Sequence, residues 1–127
     1  RVLVDEASLW EGGRFPAAVL VVSRRALERR RPEVVALLRA HLELTTRWER
    51  EPAAFAARAN EAYGRHTGKP LSAAVLRDAF SRVTPTSDPL ARQLGELARR
   101  TQALGFAPPG DPSAMVDPSP LAEVTRP

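Results

Sequence analysis

Residues 2–23 constrain the fold of this chain most, because they are almost the only part with the composition of β-structure. Residues 2–4 form a short apolar run, and residues 19–22 form a β-branched run behind Pro16. Apolar runs bounded by glycine and proline are typical of strands that are buried on both faces. Two strands do not form a stable sheet in water. We therefore expect these strands to belong to a larger sheet whose other strands lie outside the chain.

The composition excludes several kinds of protein. A chain of 127 residues with 43% apolar residues is long enough for one ordinary domain and too apolar for wholesale disorder. It has no cysteine, which excludes disulfides, thiolate nucleophiles and cysteine-based metal sites. The net charge of +4 is carried by residues 24–31, which hold five arginines and one glutamate. Proteins that bind nucleic acid usually spread basic residues over a face, so we expect no nucleic-acid partner.

Apolar residues at helical spacing predict five helices after Ser23. The first covers residues 24–31, and the second runs from Pro32 to Arg50. Pro52 opens the third helix and Gly68 ends it, while capping side chains open the last two. The predicted caps of those two helices are Ser72, Asp88 with Pro89, and Gly105. Six of the twelve prolines lie in residues 107–127, which predicts an irregular tail.

No motif for catalysis or metal binding is present. The two histidines, His41 and His66, lack a metal-ligand spacing, and a packed, hydrogen-bonded role is expected for His41. Asp5 and Glu6 are adjacent, so on a strand their carboxylates would point to opposite faces. We predict that the chain is not an enzyme, has no catalytic residue, and holds no metal or cofactor.

Two other segments leave alternatives open. Residues 55–80 imitate a helix-turn-helix, but the second helix begins with small residues that cannot read bases, which favours an ordinary helical hairpin. The arginine-rich residues 24–31 could form a solvated helix or contact acidic lipid or nucleic acid, and the solvated helix is favoured. A small helical DNA-binding regulator and a protein-interaction domain are therefore the alternative functions.

The loop after the first predicted strand has the residues that a small anionic organic molecule would need. Glycines let a ligand approach the backbone, guanidinium matches flat oxygen pairs, and an aromatic ring supplies an apolar face. The candidate ligand-binding residues, at the rim of a cleft, are Trp10, Gly12, Gly13 and Arg14. The alternative is structural: the tryptophan only buries its ring, and the arginine pairs with Asp5 or Glu11.

Several segments, in this order, resemble one family. They are DEASLW, GGRFP, VLVVS, PEVVALLRAHLE, TGKPL, SRVTPTSDPLA, ALGF and PLAEV, and together they cover nearly the entire chain. They look like the C-terminal part of ABC-transporter substrate-binding proteins of the aliphatic sulfonate, nitrate and taurine type. The resemblance implies an α/β fold like that of type II periplasmic binding proteins, of which this chain is a mostly helical part with one or two strands.

The resemblance also implies a domain organisation and a function. Residues 1–16 would be the crossover or hinge segment, residues 17–106 the C-terminal part of the first lobe, and residues 107–127 the proline-rich tail. The whole protein would capture a small anionic solute outside the cytoplasm and deliver it to an ABC permease. It would be periplasmic or extracytoplasmic, anchored as a lipoprotein through a missing N-terminus. The isolated chain would bind sulfonates in the millimolar range at best and self-associate through its unpaired strand.

Overall fold

A computed structural model describes residues 3–126, and in this range the chain forms helices and no β-strand. The α-helices are α1 (Arg24–Arg29), α2 (Arg31–Arg50), α3 (Pro52–Thr67), α4 (Ala73–Ser81), α5 (Ala91–Ala103) and α6 (Ser119–Thr125). Three short 3-10 helices cover Glu6–Leu9, Glu11–Gly13 and Pro112–Met115. No helix in the described range combines the length and the apolar character that a membrane span requires.

The predicted α/β fold is therefore wrong, and so are both predicted strands in their described parts. Residues 19–22 lie in the chain between Pro16 and α1 without regular structure, and their exposed fractions range from 43% to 87%. No hydrogen bond joins their main chain to another described residue. A β-branched run becomes a strand only when a neighbouring strand pairs with it, and residues 3–126 supply none. Leu3 and Val4 are exposed in the same way, and Val2 lies outside the described residues.

The helix ends are set by the capping residues that the sequence indicated. The Ser72 hydroxyl accepts a hydrogen bond from the Val75 backbone N–H, which confirms Ser72 as the N-cap of α4. Gly68 ends α3 with a left-handed φ of 79°, and its N–H donates to the Gly64 carbonyl at 2.9 Å. Gly105 has a φ of 76° after α5. Glycine adopts these angles without the steric cost that a Cβ brings, so both C-cap predictions are confirmed.

The start of α5 differs from its prediction. The helix begins at Ala91, and the Asp88 carboxylate accepts a hydrogen bond from the Leu90 backbone N–H at 2.9 Å. This bond closes a local turn over Pro89 and leaves Leu90 at a left-handed φ of 53°. Such a conformation costs a side-chain-bearing residue about 1–2 kcal/mol. Leu90 is only 8% exposed, so burial of its side chain offsets the strain.

The described residues divide into two compact units, of which the second covers Ala36–Ser87. Its packing centres on Trp48, whose ring stacks on Phe80 at 4.8 Å and meets Phe55 edge-on at 5.4 Å. The Asn60 side chain adds two hydrogen bonds to the main chain of Leu71, at 3.0 and 2.8 Å. These contacts hold α2, α3 and α4 together as a small helical unit.

The first unit comprises residues up to Val35 and residues from Asp88 onward. Trp10 and Leu90 are its buried hydrophobic residues within the described range, and Pro120 of α6 is buried as well. The Arg31 guanidinium donates to Glu123 at 2.7 Å and to the Ser119 hydroxyl at 3.0 Å, which fastens α6 to the start of α2.

Both units bury little apolar surface. The chain exposes 9903 Å², whereas two compact domains that share its mass would expose about 8,000 Å². Large apolar side chains such as Leu104 and Phe106 are 70% and 81% exposed. The Phe106 side chain, which directly follows the C-cap Gly105, does not pack on the last turn of α5. A chain with so small a core gains correspondingly little hydrophobic stabilisation.

We predict that Phe80→Ala destabilises the second unit by about 1–3 kcal/mol, because it removes a stacked aromatic pair from a partly buried cluster. Urea unfolding followed by Trp48 fluorescence, in a Trp10→Phe background, measures the change. Val83→Ala is the matched control, since Val83 is 57% exposed and should change the free energy of unfolding by less than about 0.5 kcal/mol. Equal effects of the two substitutions would contradict the aromatic core.

Candidate functional site

Trp10 ends the 3-10 helix Glu6–Leu9, which Asp5 caps by accepting a hydrogen bond from the Ala7 backbone N–H at 3.1 Å. The Trp10 indole N–H donates to the Glu6 carboxylate at 2.9 Å, so its polar atom is satisfied within the same turn. Only 7% of Trp10 is exposed. The short helix therefore directs the ring inward.

Two side chains cover the Trp10 ring. The Phe15 ring centroid lies 5.3 Å from that of Trp10, and the guanidinium carbon of Arg100 lies 4.6 Å from the Trp10 centroid. A cation over an indole face at this distance is an attractive cation–π contact. The arrangement agrees with the structural alternative for Trp10, because the ring packs against its own chain instead of presenting a free face.

Gly12 and Gly13 form the turn that follows Trp10. Their φ angles are 73° and 63°, and the Gly13 N–H donates to the Trp10 carbonyl at 3.0 Å. Apart from the adjacent residues of the chain, no atom of the described range lies within 4 Å of the position that a Cβ would take on either glycine. The two glycines are therefore required by their positive φ angles and not by close packing. The space above both residues is open to solvent.

Arg14 forms an ion pair with Asp88, and the distance between its Nη1 and Oδ2 of Asp88 is 3.0 Å. The sequence had indicated Asp5 or Glu11 as the alternative partner, but Asp5 caps its own helix and Glu11 pairs with Arg92. About half of each side chain in the Arg14–Asp88 pair is exposed. Exposed pairs of this kind contribute about 1 kcal/mol or less, so an anion in solution can compete for Arg14.

The four residues predicted to contact a ligand thus lie together, but only part of the group is accessible. The turn at Gly12 and Gly13 and the half-exposed Arg14 face solvent, whereas Trp10 is buried. Their contact with ligand is tested by no observation here and stays a prediction. Three residues that position this loop were not predicted from the sequence. They are Asp88, Arg92 and Arg100, in the part of the first unit that begins at Asp88. Arg92 and Arg100 lie on α5 and Asp88 precedes it, but nothing in the sequence pairs them with residues about 80 positions earlier.

The other candidate groups take structural positions. The His41 ring nitrogen Nε2 lies 3.3 Å from the Thr86 carbonyl oxygen, which confirms a packed, hydrogen-bonded histidine. Within residues 3–126 no cluster of three histidine or acidic side chains is placed to hold a metal ion. The helical hairpin of α3 and α4 is joined by residues 68–72, which the Asn60 side chain holds in place.

Comparisons with protein-family models, with curated proteins and with solved structures found no match for this chain. Conclusions about its function therefore rest on its sequence and on the geometry described above. The resemblance to solute-binding proteins stays a prediction.

In this region, the hydrogen bonds to Glu96 make the contribution to stability that depends most clearly on pH. Hydrogen bonds from Arg100 and then from Arg99 hold the pKa of Glu96 below its ordinary value. Because the folded pKa is below the unfolded one, these bonds stabilise the chain above the unfolded value of about 4.3. The stabilisation is lost as the pH falls through the lower, folded pKa.

We therefore expect Glu96→Gln to lower the urea midpoint at pH 7 and to converge with the unchanged chain below pH 4. Circular dichroism during urea titration at pH 7, 5, 4 and 3 measures the difference. Glu28→Gln is the control, since Glu28 makes no ion pair with a described residue. A gap between the two chains that does not change with pH would show that the Glu96 charge is irrelevant.

A double-mutant cycle on Arg14 and Asp88 should give a coupling of about 0.2–1 kcal/mol at low salt, because the pair is exposed. The cycle separates the ion pair from the bond that Asp88 also makes to Leu90, which the single substitution Asp88→Ala removes too. In 1 M NaCl the coupling should approach zero, since the Debye length falls to about 3 Å. A coupling above about 2 kcal/mol would contradict an exchangeable pair.

Proposed function

We propose that this chain is part of an extracytoplasmic solute-binding protein that captures a small anionic organic solute, of the aliphatic sulfonate type, for an ABC importer. The observation that carries the proposal is the exposed apolar run of residues 19–22, which directly follows the candidate site. Proteins seldom leave four consecutive large apolar residues in water unless another surface covers them. In this proposal, the rest of the same solute-binding protein packs against these residues.

The extent to which residues 19–22 are exposed supports the proposal that further polypeptide packs over them. Val21 is 87% exposed and Leu20 is 57% exposed, and full burial of such a side chain contributes roughly 1.5–3 kcal/mol. Covering the whole run would therefore add several kcal/mol, which is a large share of an ordinary domain's stability. The proposal needs no strand from this chain, because any apolar surface of the remaining protein would provide the cover.

The segments that carry the family resemblance also have defined structural tasks. DEASLW supplies the capping Asp5 and the buried Trp10, and TGKPL supplies the C-cap Gly68 and the loop held by Asn60. ALGF supplies Gly105 at the end of α5. These tasks fix the ends of α3 and α5 and the position of the Trp10 ring.

The proposal of an anionic solute rests on one residue of the loop, Arg14. Arg14 is half exposed, sits beside two glycines with open space above them, and is held by a weak ion pair. A sulfonate or carboxylate would replace the Asp88 oxygens with an equivalent set of acceptors. Because Trp10 is covered by Phe15 and Arg100, it acts in this scheme by positioning the loop and not by touching the solute.

A second candidate is a domain that binds another protein without any solute. The specific observation in its favour is that exposed apolar side chains occur well beyond residues 19–22, at Leu104 and Phe106 among others. In this case the chain would form a stable complex with a partner protein, and anions would have no effect on it.

The test is calorimetric titration of the complete gene product with ethanesulfonate, taurine and nitrate. We expect micromolar binding of at least one of them, a free energy of about −8 kcal/mol, and only millimolar binding by the isolated chain. Arg14→Gln should weaken binding about tenfold, because a charge-assisted hydrogen bond is lost. Arg77→Gln is the matched control on α4.

Two results would contradict the proposal. One is the absence of binding to all three anions by the complete gene product. The other is normal growth of a deletion strain of the source organism with each of these compounds as its sulfur or nitrogen source. Retention on DNA that falls steeply with salt would instead favour the regulator.

A further inference from the structure

A second surface of the first unit has the form of a small-molecule groove. It lies between α5 and the 3-10 helix Pro112–Met115, and its volume is about 500 Å³. This is within the range of about 300–1,000 Å³ that small-molecule sites occupy. Its main lining residues are Arg92, Gly95, Arg99, Pro112, Ser113 and Val116.

Gly95 is the unusual residue of this groove. Glycine in the interior of a helix is less stable than alanine, so a glycine there usually has a packing reason. The position of a Cβ on Gly95 would meet only one atom within 4 Å, Nη1 of Arg99 at 3.7 Å. Within residues 3–126 no atom of another helix lies within 4 Å of this position. At the floor of the groove, the helix backbone at Gly95 is therefore covered only by the end of the flexible Arg99 side chain.

Arg92, Gly95 and Arg99 lie on one face of α5, because residues three and four apart are neighbours on a helix. The side chains of Arg92 and Arg99 are 74% and 59% exposed in their ion pairs with Glu11 and Glu96. Exposed ion pairs of this kind exchange readily. Two guanidinium groups therefore flank an open stretch of backbone.

We infer that this groove binds a small organic anion with an apolar body. The anionic head lies between Arg92 and Arg99, and the body crosses Gly95 toward Pro112 and Val116. The inference does not depend on the proposed function, because Gly12, Gly13 and Arg14 do not line this groove.

Asp111 is the acidic group of the opposite wall. Its two oxygens accept hydrogen bonds from the Ser113 backbone N–H at 2.9 Å and from the Ser113 hydroxyl at 2.6 Å. These bonds orient the carboxylate toward Ser113, but its charge still opposes an anion in the groove. Asp111 therefore limits affinity, and its neutralisation should tighten binding.

The experiment is an NMR titration of the ¹⁵N-labelled chain with hexanesulfonate. A second titration with inorganic sulfate, which has no apolar body, measures the effect of ion pairing alone. We expect hexanesulfonate to shift the Gly95 amide with a dissociation constant in the millimolar range, and sulfate to leave it nearly unchanged. Gly95→Ala should raise the melting temperature by a few degrees and weaken binding about tenfold. Arg99→Gln should weaken binding about fivefold, and Asp111→Asn should tighten it about threefold.

Arg77→Gln on α4 is the matched control and should leave the titration unchanged. Three outcomes would overturn the inference: equal shifts with sulfate and hexanesulfonate, shifts confined to the arginine-rich residues 24–31, or a Gly95→Ala chain that gains stability and keeps its affinity. If Gly95→Ala does not fold, the Arg99→Gln and Asp111→Asn pair decides, because the inference requires their opposite effects.

Discussion

Burial of Trp10 is the interaction on which the first unit depends. The tryptophan ring packs against Phe15 of its own segment and contacts the Arg100 guanidinium, which joins this segment to α5. Around it, the ion pairs of Arg14 with Asp88 and of Glu11 with Arg92 hold the loop along the start of the same helix. The apolar contact supplies most of the free energy, because exposed ion pairs contribute little. The ion pairs instead specify where the loop lies.

The different roles of the buried ring and of the ion pairs explain how the loop could bind a solute. A buried aromatic ring holds the loop, so Arg14 can exchange Asp88 for an external anion without releasing the segment. The strained Leu90 lies beside this junction and is held by the Asp88 hydrogen bond as well as by its own burial. Strain retained by its surroundings is common near functional sites.

Local signals in the sequence predicted the helices from α1 to α5, whereas α6 lies in the tail that was predicted to be irregular. Contacts between distant residues were not predicted. Ser72, Gly68 and Gly105 were recognised as caps because a cap depends on the few residues around it. Residues 19–22 were assigned to a strand from composition, but strand formation depends on a pairing partner that local composition does not reveal. For the candidate site, Trp10 and Arg14 were found by residue type, while the partners of both were found only in the structure.

The sequence by itself determined the caps at Ser72, Gly68 and Gly105, the absence of disulfides, and which loop carries glycine, tryptophan and arginine together. The tertiary structure decided that Trp10 is covered and that Arg14 pairs with Asp88. It also decided that Gly95 opens a groove and that residues 19–22 remain exposed. The physical reason is the separation along the sequence over which each interaction acts. Caps and helical periodicity act over a few residues, whereas burial, ion pairing and strand formation depend on which distant residues meet.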